Sequence, residues 1–402
     1  MKLNKNLISG SLILLISFNL YNALNFFYHF SMARMLTIAQ YGVLASLFSI
    51  IYMLALFTES IQIVITKYSN NEKDKGKLKN LLKKSLKKAT KGSISLFVLY
   101  LFISVILSYL LKIDYLLLAL TGLMVFVSFF SPITRGIMQG RKRFLSLGKN
   151  MIIEAVIKLS ISILFVFIGW KVYGALLGAI LGPLIAIALS FISISDILAV
   201  KEKETLNHGI YNYAKPTFAI NLVILTFYTI DVLIAKIFFP ETIAGAYAIA
   251  ATLSKIIFFG TQPISRAMFP LSAENMSNKS KSQNVLLNSL SILGFAVLIS
   301  LSIFYFFPEL IIKIFSGKII PEATSILFYL GISMSLLSIT YMILLYKLSI
   351  GKVKGYKYLF IFLILEIFLL SYFSSSLFQF SIALITSSAA ILWASVFLLR
   401  ED

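Results

Sequence analysis

Twelve stretches of the chain run for about 20 residues with almost no charge, and nothing else in the sequence constrains the fold as strongly. They lie near 7–30, 41–66, 93–111, 115–134, 146–169, 172–195, 216–239, 243–265, 286–307, 322–346, 357–374 and 377–399. A helix needs about 20 mostly apolar residues to span a bilayer, so each run reads as a membrane-crossing helix. The first is too long for the apolar core of a signal peptide, and a second apolar run follows almost at once. Composition points the same way. Hydrophobic residues make up 59% and charged residues 13%, against roughly 45–50% and about 25% in soluble domains. A chain with so few polar groups cannot cover its surface in water and is expected to be an integral membrane protein. Cysteine is absent, which excludes a disulfide framework and thiol chemistry.

The formal charge of +20 would suggest nucleic acid on a soluble protein. Its distribution argues against that partner. With the N-terminus inside, the inside connections hold Lys2 and Lys5, ten Lys from Lys67 to Lys91, Arg135, Arg141, Lys142, Arg143 and Lys149, then Lys201, Lys203, Lys215, Arg266, Lys279, Lys281, Lys347, Lys352, Lys354, Lys357 and Arg400. The outside connections hold only Arg34, Lys112, Lys171, Lys236, Lys313 and Lys318. The positive-inside rule places both termini in the cytoplasm and favours an even number of helices. Within the basic segment 70–91, "KDKGKLKNLLKKSLKKATK" puts Leu78, Leu81, Leu82 and Leu86 on one helical face. It fits an amphipathic helix on the inner leaflet drawn to anionic headgroups, and equally a positive loop that only orients the chain.

The sequence also repeats. "HFSMAR" (29–34) and "DVLIAK" (231–236) both end in Ala and a cation, and each is followed by a Tyr among small residues, in "AQYGVLASLFS" (39–49) and "AGAYAIAATLS" (244–254). His29 then matches Asp231, Arg34 matches Lys236, and Tyr41 matches Tyr247. The expected architecture is all-α: two six-helix lobes, 1–206 and 207–402. Six crossings return the chain to its starting side, so the repeats are parallel, related by an axis along the membrane normal. Transporters with such duplications bind substrate between the repeats near mid-membrane.

Three motifs carry a family resemblance. "ARMLTIAQYG" (33–42), "SPITRGIMQGRKRF" (131–144) and "IDVLIAKIFFPETIAGAYAIA" (230–250) resemble, in order, signatures of Wzx-type polysaccharide-biosynthesis flippases. These belong to the multidrug/oligosaccharidyl-lipid/polysaccharide exporter superfamily. The resemblance covers nearly the whole chain, although the related lipid II flippases usually have fourteen helices. It implies a V-shaped pair of lobes that moves a polyprenyl-phosphate- or diphosphate-linked oligosaccharide from inner to outer leaflet by alternating access. The demand is physical: charge and unpaired hydroxyls cross hydrocarbon only at a cost of many kcal/mol, so the head needs a wet, cationic cavity while the polyprenyl tail stays in lipid. An ion-coupled multidrug antiporter of the same fold is the alternative, and an acidic, aromatic cavity would favour it.

Ionisable residues inside membrane helices are costly and usually face a cavity or a partner. Arg34 and Lys236 are candidates for the diphosphate through charge-assisted hydrogen bonds, or they snorkel to the outer interface. Asp231, one turn inward, is a candidate for a coupling proton or sodium ion, or a structural partner of Lys236 or Lys255. His29 is its counterpart in the first half, or a buried neutral histidine. Lys255, with no partner near in sequence, is a cavity candidate. Glu59, beside Gln62 on the second helix, is open between the two readings. Arg135 either meets incoming diphosphate at the cytoplasmic mouth or only obeys the positive-inside rule. Glu154 and Lys158, four apart, read as a structural pair. Glu366 reads as peripheral, structural or facing lipid or another chain.

"GALLGAILG" spaces Gly174, Gly178 and Gly182 four apart, a small-residue face for close helix packing, and Pro132, Pro183 and Pro263 can bend their helices. A Walker A motif is absent, as are a dense metal-ligating cluster and a Ser/His/Asp arrangement, so no enzymatic activity and no cofactor beyond a coupling H+ or Na+ is expected. A membrane glycosyltransferase or polymerase would need larger outside loops than these, whose only acids are Asp114, Glu241, Glu309 and Glu322. A non-transporting scaffold stays compatible with the sequence. The expected setting is a monomer, multi-pass in the plasma membrane, with a lipid-linked oligosaccharide, membrane lipids and polysaccharide assembly proteins as partners.

Overall fold

Backbone N–H and C=O groups have no water to bond in hydrocarbon, so apolar runs of this length satisfy themselves as helices. The computed structural model describes residues 5–204, 215–274, 278–351 and 354–397, and no β-strand occurs among them. The helices in chain order are α1 (Lys5–Met35), α2 (Ile38–Leu54), α3 (Leu56–Asn71), α4 (Lys75–Leu111), α5 (Tyr115–Thr121), α6 (Met124–Gly140), α7 (Phe144–Phe165), α8 (Lys171–Ile192), α9 (Ser195–Leu198), α10 (Lys215–Phe227), α11 (Ile230–Phe238), α12 (Glu241–Glu274), α13 (Lys279–Phe306), α14 (Pro308–Ser316), α15 (Pro321–Ser349), α16 (Leu359–Tyr372) and α17 (Leu377–Phe397). Nine segments of the described chain are helical and long and apolar enough to cross a membrane. The protein is therefore a multi-pass membrane protein. One segment, Phe144–Ile192, contains two of the expected crossings, whereas the runs on α1 and α16 fall outside the nine. The junction near 206 and the basic residues Lys2, Lys352 and Arg400 lie outside the described residues.

Packing divides the chain into two compact units: Met1–Leu36 with Ile50–Asn212, and Thr37–Ser49 with Tyr213–Asp402. Most of α2, from Ile38 to Ser49, thus packs with the second unit. The reason is a close approach between the two motifs matched in the sequence. A Cβ on Gly42 would lie 2.8 Å from the Gly245 Cα, and one on Gly245 would lie 2.1 Å from the Ile38 carbonyl oxygen. The Tyr41 hydroxyl seals this crossing by donating to Thr252 Oγ1 at 3.1 Å.

In the first unit, α7 and α8 form a hairpin without a loop. Gly169 takes φ 104°, and the chain reverses there. The glycine face predicted in the sequence closes this hairpin. Added Cβ atoms at Gly174, Gly178 and Gly182 would meet Phe165, Ser162 and the Glu154–Lys158 turn at 2.1–2.8 Å. The "RGIMQGRKRF" stretch is likewise a packing element. Gly136 and Gly140 let α6 cross α3, where a Cβ would lie 2.8 Å from Ile65 and 2.5 Å from the Thr66 carbonyl oxygen. Gln139 accepts from Gln62 at 2.9 Å across the same contact.

The basic segment departs from the expected leaflet-lying helix. From Lys75 to Lys91 it is nearly the first half of α4, continuous with the membrane-spanning part. Leu78, Leu81, Leu82 and Ala89 are buried against Ile133, Ile137, Leu147, Met151, Ile194 and Ile197 of the same unit. The leucine face therefore covers protein rather than lipid. The chain after α8 clamps onto this helix. Asp196 takes both Arg143 nitrogens at 2.8 and 2.7 Å and Lys75 at 2.9 Å. Accepting from Arg143 holds the Asp196 carboxyl well below the usual carboxylate range. Lys79 donates to the Leu198 and Val200 carbonyls, Glu202 pairs with Lys83 at 2.5 Å, and Asp74 pairs with Lys203 at 2.6 Å.

Candidate functional site

Two groups of charged side chains are buried inside the helices, one in each unit. In the second unit the site begins with a break. The apolar segment Phe218–Phe238 is two helices, α10 and α11, interrupted at Tyr228 and Thr229. Thr229 turns its hydroxyl back to the Leu225 and Thr226 carbonyls. Asp231 falls in the first turn of α11, where the positive end of the helix dipole favours an acid. Its side chain is fully buried. Tyr247 of α12 donates to Oδ2 at 2.9 Å, and the Lys255 ammonium lies 3.5 Å from Oδ1. Lys255 thus has the partner the local sequence did not offer: Asp231, 24 residues earlier and one helix away.

Glu366 completes the group. It sits on α16, which packs against both α10 and α11, and it is fully buried rather than peripheral. Among the described residues, neither of its carboxyl oxygens has a hydrogen-bond partner. Asp231 and Lys255 are the charges that act on it. The group therefore holds two acids and one ammonium, and its polar capacity is unevenly used. Sequence reasoning underrated Glu366. The signal was a single acid among fourteen otherwise uncharged α16 residues, costly enough to need a reason.

The first unit holds a different arrangement. The close partner of Glu154 is Arg135 of α6, whose Nη2 lies 2.5 Å from Oε2, rather than Lys158 four residues on. Tyr21 donates to the other carboxyl oxygen at 2.9 Å, and Arg135 Nε donates to Asn150 at 2.9 Å. Asn150 in turn donates to the Ala186 carbonyl at 2.7 Å. Lys158 donates to Asn25 at 2.9 Å and lies over the Tyr28 ring at 4.3 Å. Tyr21, Asn25 and Tyr28 line one face of α1 at spacings of four and three, a polar stripe that the sequence displayed and that was not read as one.

The remaining candidates are spread out. Lys236 is buried on α11, 3.7 Å from the exposed Glu241. Its sequence counterpart Arg34 is instead exposed, with its guanidinium over the Phe30 ring at 4.5 Å. His29 meets the Tyr28 ring edge-on. Glu59 is exposed on α3. Among the described residues no group of three or more His, Cys, Asp or Glu is placed to hold a metal ion.

A family profile described as "Polysaccharide biosynthesis protein" matches residues 31–323. The chain belongs to that family. The matched span of this polysaccharide biosynthesis protein includes Arg135, Glu154, Asp231, Tyr247 and Lys255, and ends before Glu366. No curated protein matches the sequence. Solved structures do. An inward-facing multidrug resistance MATE family transporter of the MOP superfamily superposes with a TM-score of 0.73, at 15% identity over 94% of this chain and 93% of that one. The lipid II flippase MurJ in an inward closed conformation gives 0.70, at 16% identity over 96% and 87%. A MATE transporter of Vibrio cholerae gives 0.61, at 13% identity over 98% and 95%. At such identities the likeness is one of fold.

Proposed function

We propose that this polysaccharide biosynthesis protein translocates a polyprenyl-phosphate- or diphosphate-linked oligosaccharide from the inner to the outer leaflet of the plasma membrane. Family membership over residues 31–323 supports the substrate class. The fold, shared by drug transporters and a lipid II flippase, suits both readings and does not choose between them. The observation that carries a transport function is the buried Asp231–Lys255–Glu366 group behind the break between α10 and α11. Interrupted membrane helices with buried acids are where transporters bind ions and substrate.

In this reading the halves 1–206 and 207–402 are the two lobes of an alternating-access cycle, with both termini cytoplasmic and twelve crossings. Asp231 and Glu366 exchange a coupling proton or sodium ion, with Lys255 as the countercharge released or re-paired during the cycle. Tyr247 positions Asp231. Lys236 and Arg34 contact the diphosphate, and Arg135, His29 and Glu59 contribute less directly. Leaflet-resolved labelling of lipid-linked sugar in cells depleted of the protein tests the proposal. Outer-leaflet delivery should fall; unchanged delivery in a strain with no second flippase would sink it. A labelled cationic drug that is exported instead would select the antiporter reading.

A further inference from the structure

Seven of the ten lysines between Lys67 and Lys91 fall into two sets. Lys75, Lys77 and Lys83 pair with Asp196, Glu72 and Glu202, and Lys79 is held by two carbonyls. These bind the helix to its own unit. Lys87, Lys88 and Lys91 are exposed, and among the described residues none of the three has an ion-pair partner. They lie on the side of α4 opposite the buried Leu78, Leu82, Ala89 and Ser93.

That side continues without a break into hydrocarbon. Steps of three and four residues lead from Lys87, Lys88 and Lys91 through Ser95 to Val98, Phe102, Val105, Ile106 and Tyr109. These last five are 46, 71, 57, 62 and 84% exposed, an apolar stripe of the kind that lipid covers. At 1.5 Å per residue, Lys91 stands about 27 Å from Tyr109 along the axis, close to the roughly 30 Å hydrocarbon thickness. Tyr109 then takes the interfacial position that tyrosines favour, and the three lysines emerge at the opposite headgroup layer. Because α4 is one rigid helix whose first third is clamped to the protein, they cannot fold away from that layer.

We infer that Lys87, Lys88 and Lys91 form a binding surface for the headgroups of anionic phospholipids lying against α4. The lipid acyl chains run along the Val98–Tyr109 stripe while the phosphates meet the ammonium groups. A soluble acidic partner would not explain why the basic and lipid-facing stripes are collinear.

The absence of cysteine makes the test direct. Ser95→Cys, labelled with a fluorophore, places a reporter one turn from Lys91 on the same exposed face. The full chain is reconstituted in phosphatidylcholine vesicles carrying a nitroxide on either phosphatidylglycerol or phosphatidylcholine at equal mole fraction. We expect several-fold stronger quenching by phosphatidylglycerol, up to roughly fivefold per lysine, falling as salt is raised. The triple Lys87→Gln, Lys88→Gln, Lys91→Gln variant should quench equally with both lipids, and the triple Lys→Arg variant should keep the preference. Equal quenching in the unsubstituted surface, a preference that ignores salt, or a preference surviving the Gln variant would each overturn the assignment. The salt series on the unsubstituted surface decides even if the Gln variant does not fold.

Discussion

The two buried charge groups differ in how completely they are satisfied. In the first unit, Glu154 takes a hydrogen bond at each oxygen, from Tyr21 and from Arg135, and Arg135 reaches Asn150 as well. In the second, Asp231 is bonded by Tyr247 and approached by Lys255 at 3.5 Å, while Glu366 is buried with neither oxygen bonded. Partly satisfied polar networks are costly, and a chain keeps one where it has a use. The first group reads as a tie between α1, α6 and α7. In the transport function proposed above, the second is the group that would take up an ion. The contrast is measurable, because removing a member of a finished network costs stability, whereas removing a member of an unfinished one costs function.

The largest stability loss is expected from Arg135→Met. It strands Glu154 in an interior where both side chains are nearly buried. Breaking a buried pair at one end typically costs about 3–5 kcal/mol. Thermal unfolding in detergent should show that loss, and adding Glu154→Leu should recover most of it. A neutral Arg135→Met would remove the distinction between the two groups.

The next effect compares backbone packing in the units. A Cβ at Gly178 would lie 2.1 Å from Ser162 Oγ and 2.6 Å from its backbone nitrogen. The hydroxyl can rotate away, but the backbone cannot, so Gly178→Ala should destabilise by about 1–3 kcal/mol. Among the described residues, Gly260 and Gly294 of the second unit have nothing within 4 Å of the equivalent position. There the same change should stabilise by about 0.5–1 kcal/mol through helix propensity. Melting temperatures that move the same way in both units would refute the reading of α7 and α8 as a glycine-locked hairpin.

Glu366→Gln separates stability from function. No hydrogen bond is lost, so unfolding should shift by less than about 1 kcal/mol. Translocation, read by leaflet-resolved labelling, should fall at least roughly tenfold, about 1.4 kcal/mol of barrier. Asp231→Asn should lose translocation as well, but with a larger stability loss: Asn still accepts from Tyr247, yet the nearly buried Lys255 ammonium loses its countercharge. Full transport by both variants would reduce the second group to a structural tie like the first.

Much of this architecture was legible because membrane helices advertise themselves by length and apolarity alone. The Gly174–Gly178–Gly182 face was legible for the same local reason: spacing by four puts side chains on one face. The polar partners were not. Spacing offered Lys158 to Glu154, but α6 brings Arg135 closer, and helix packing is a long-range matter that i,i+4 rules do not reach. Lys255 has no partner near in sequence, and the sequence offered Asp231 two possible pairings, with Lys236 or Lys255; packing of α11 on α12 selects Lys255. The leucines of 78–86 looked ready for lipid because periodicity reveals an apolar face without revealing what covers it. His29 and Asp231, matched in sequence, have different neighbours: an aromatic ring edge for one, a tyrosine hydroxyl and an ammonium for the other.

The smallest effect lies at the edge of the first unit, where Asp196 binds Arg143 and Lys75. Unlike the buried groups, this one is open to solvent, with 37% of the Asp196 side chain exposed. Screening keeps such a pair to about 0.5–1 kcal/mol, which Asp196→Asn should remove at neutral pH. The folded carboxyl titrates below its unfolded value, so its contribution is complete above the unfolded pKa of about 3.9. It is lost as pH falls through the lower folded value. The gap between the unsubstituted protein and Asp196→Asn should therefore be constant from about pH 7 to 5, narrow below about pH 4, and shrink with added salt. A gap that ignores both pH and salt would mean that Asp196 acts by shape, as the glycines of α8 do, and that the clamp on α4 is packed rather than charged.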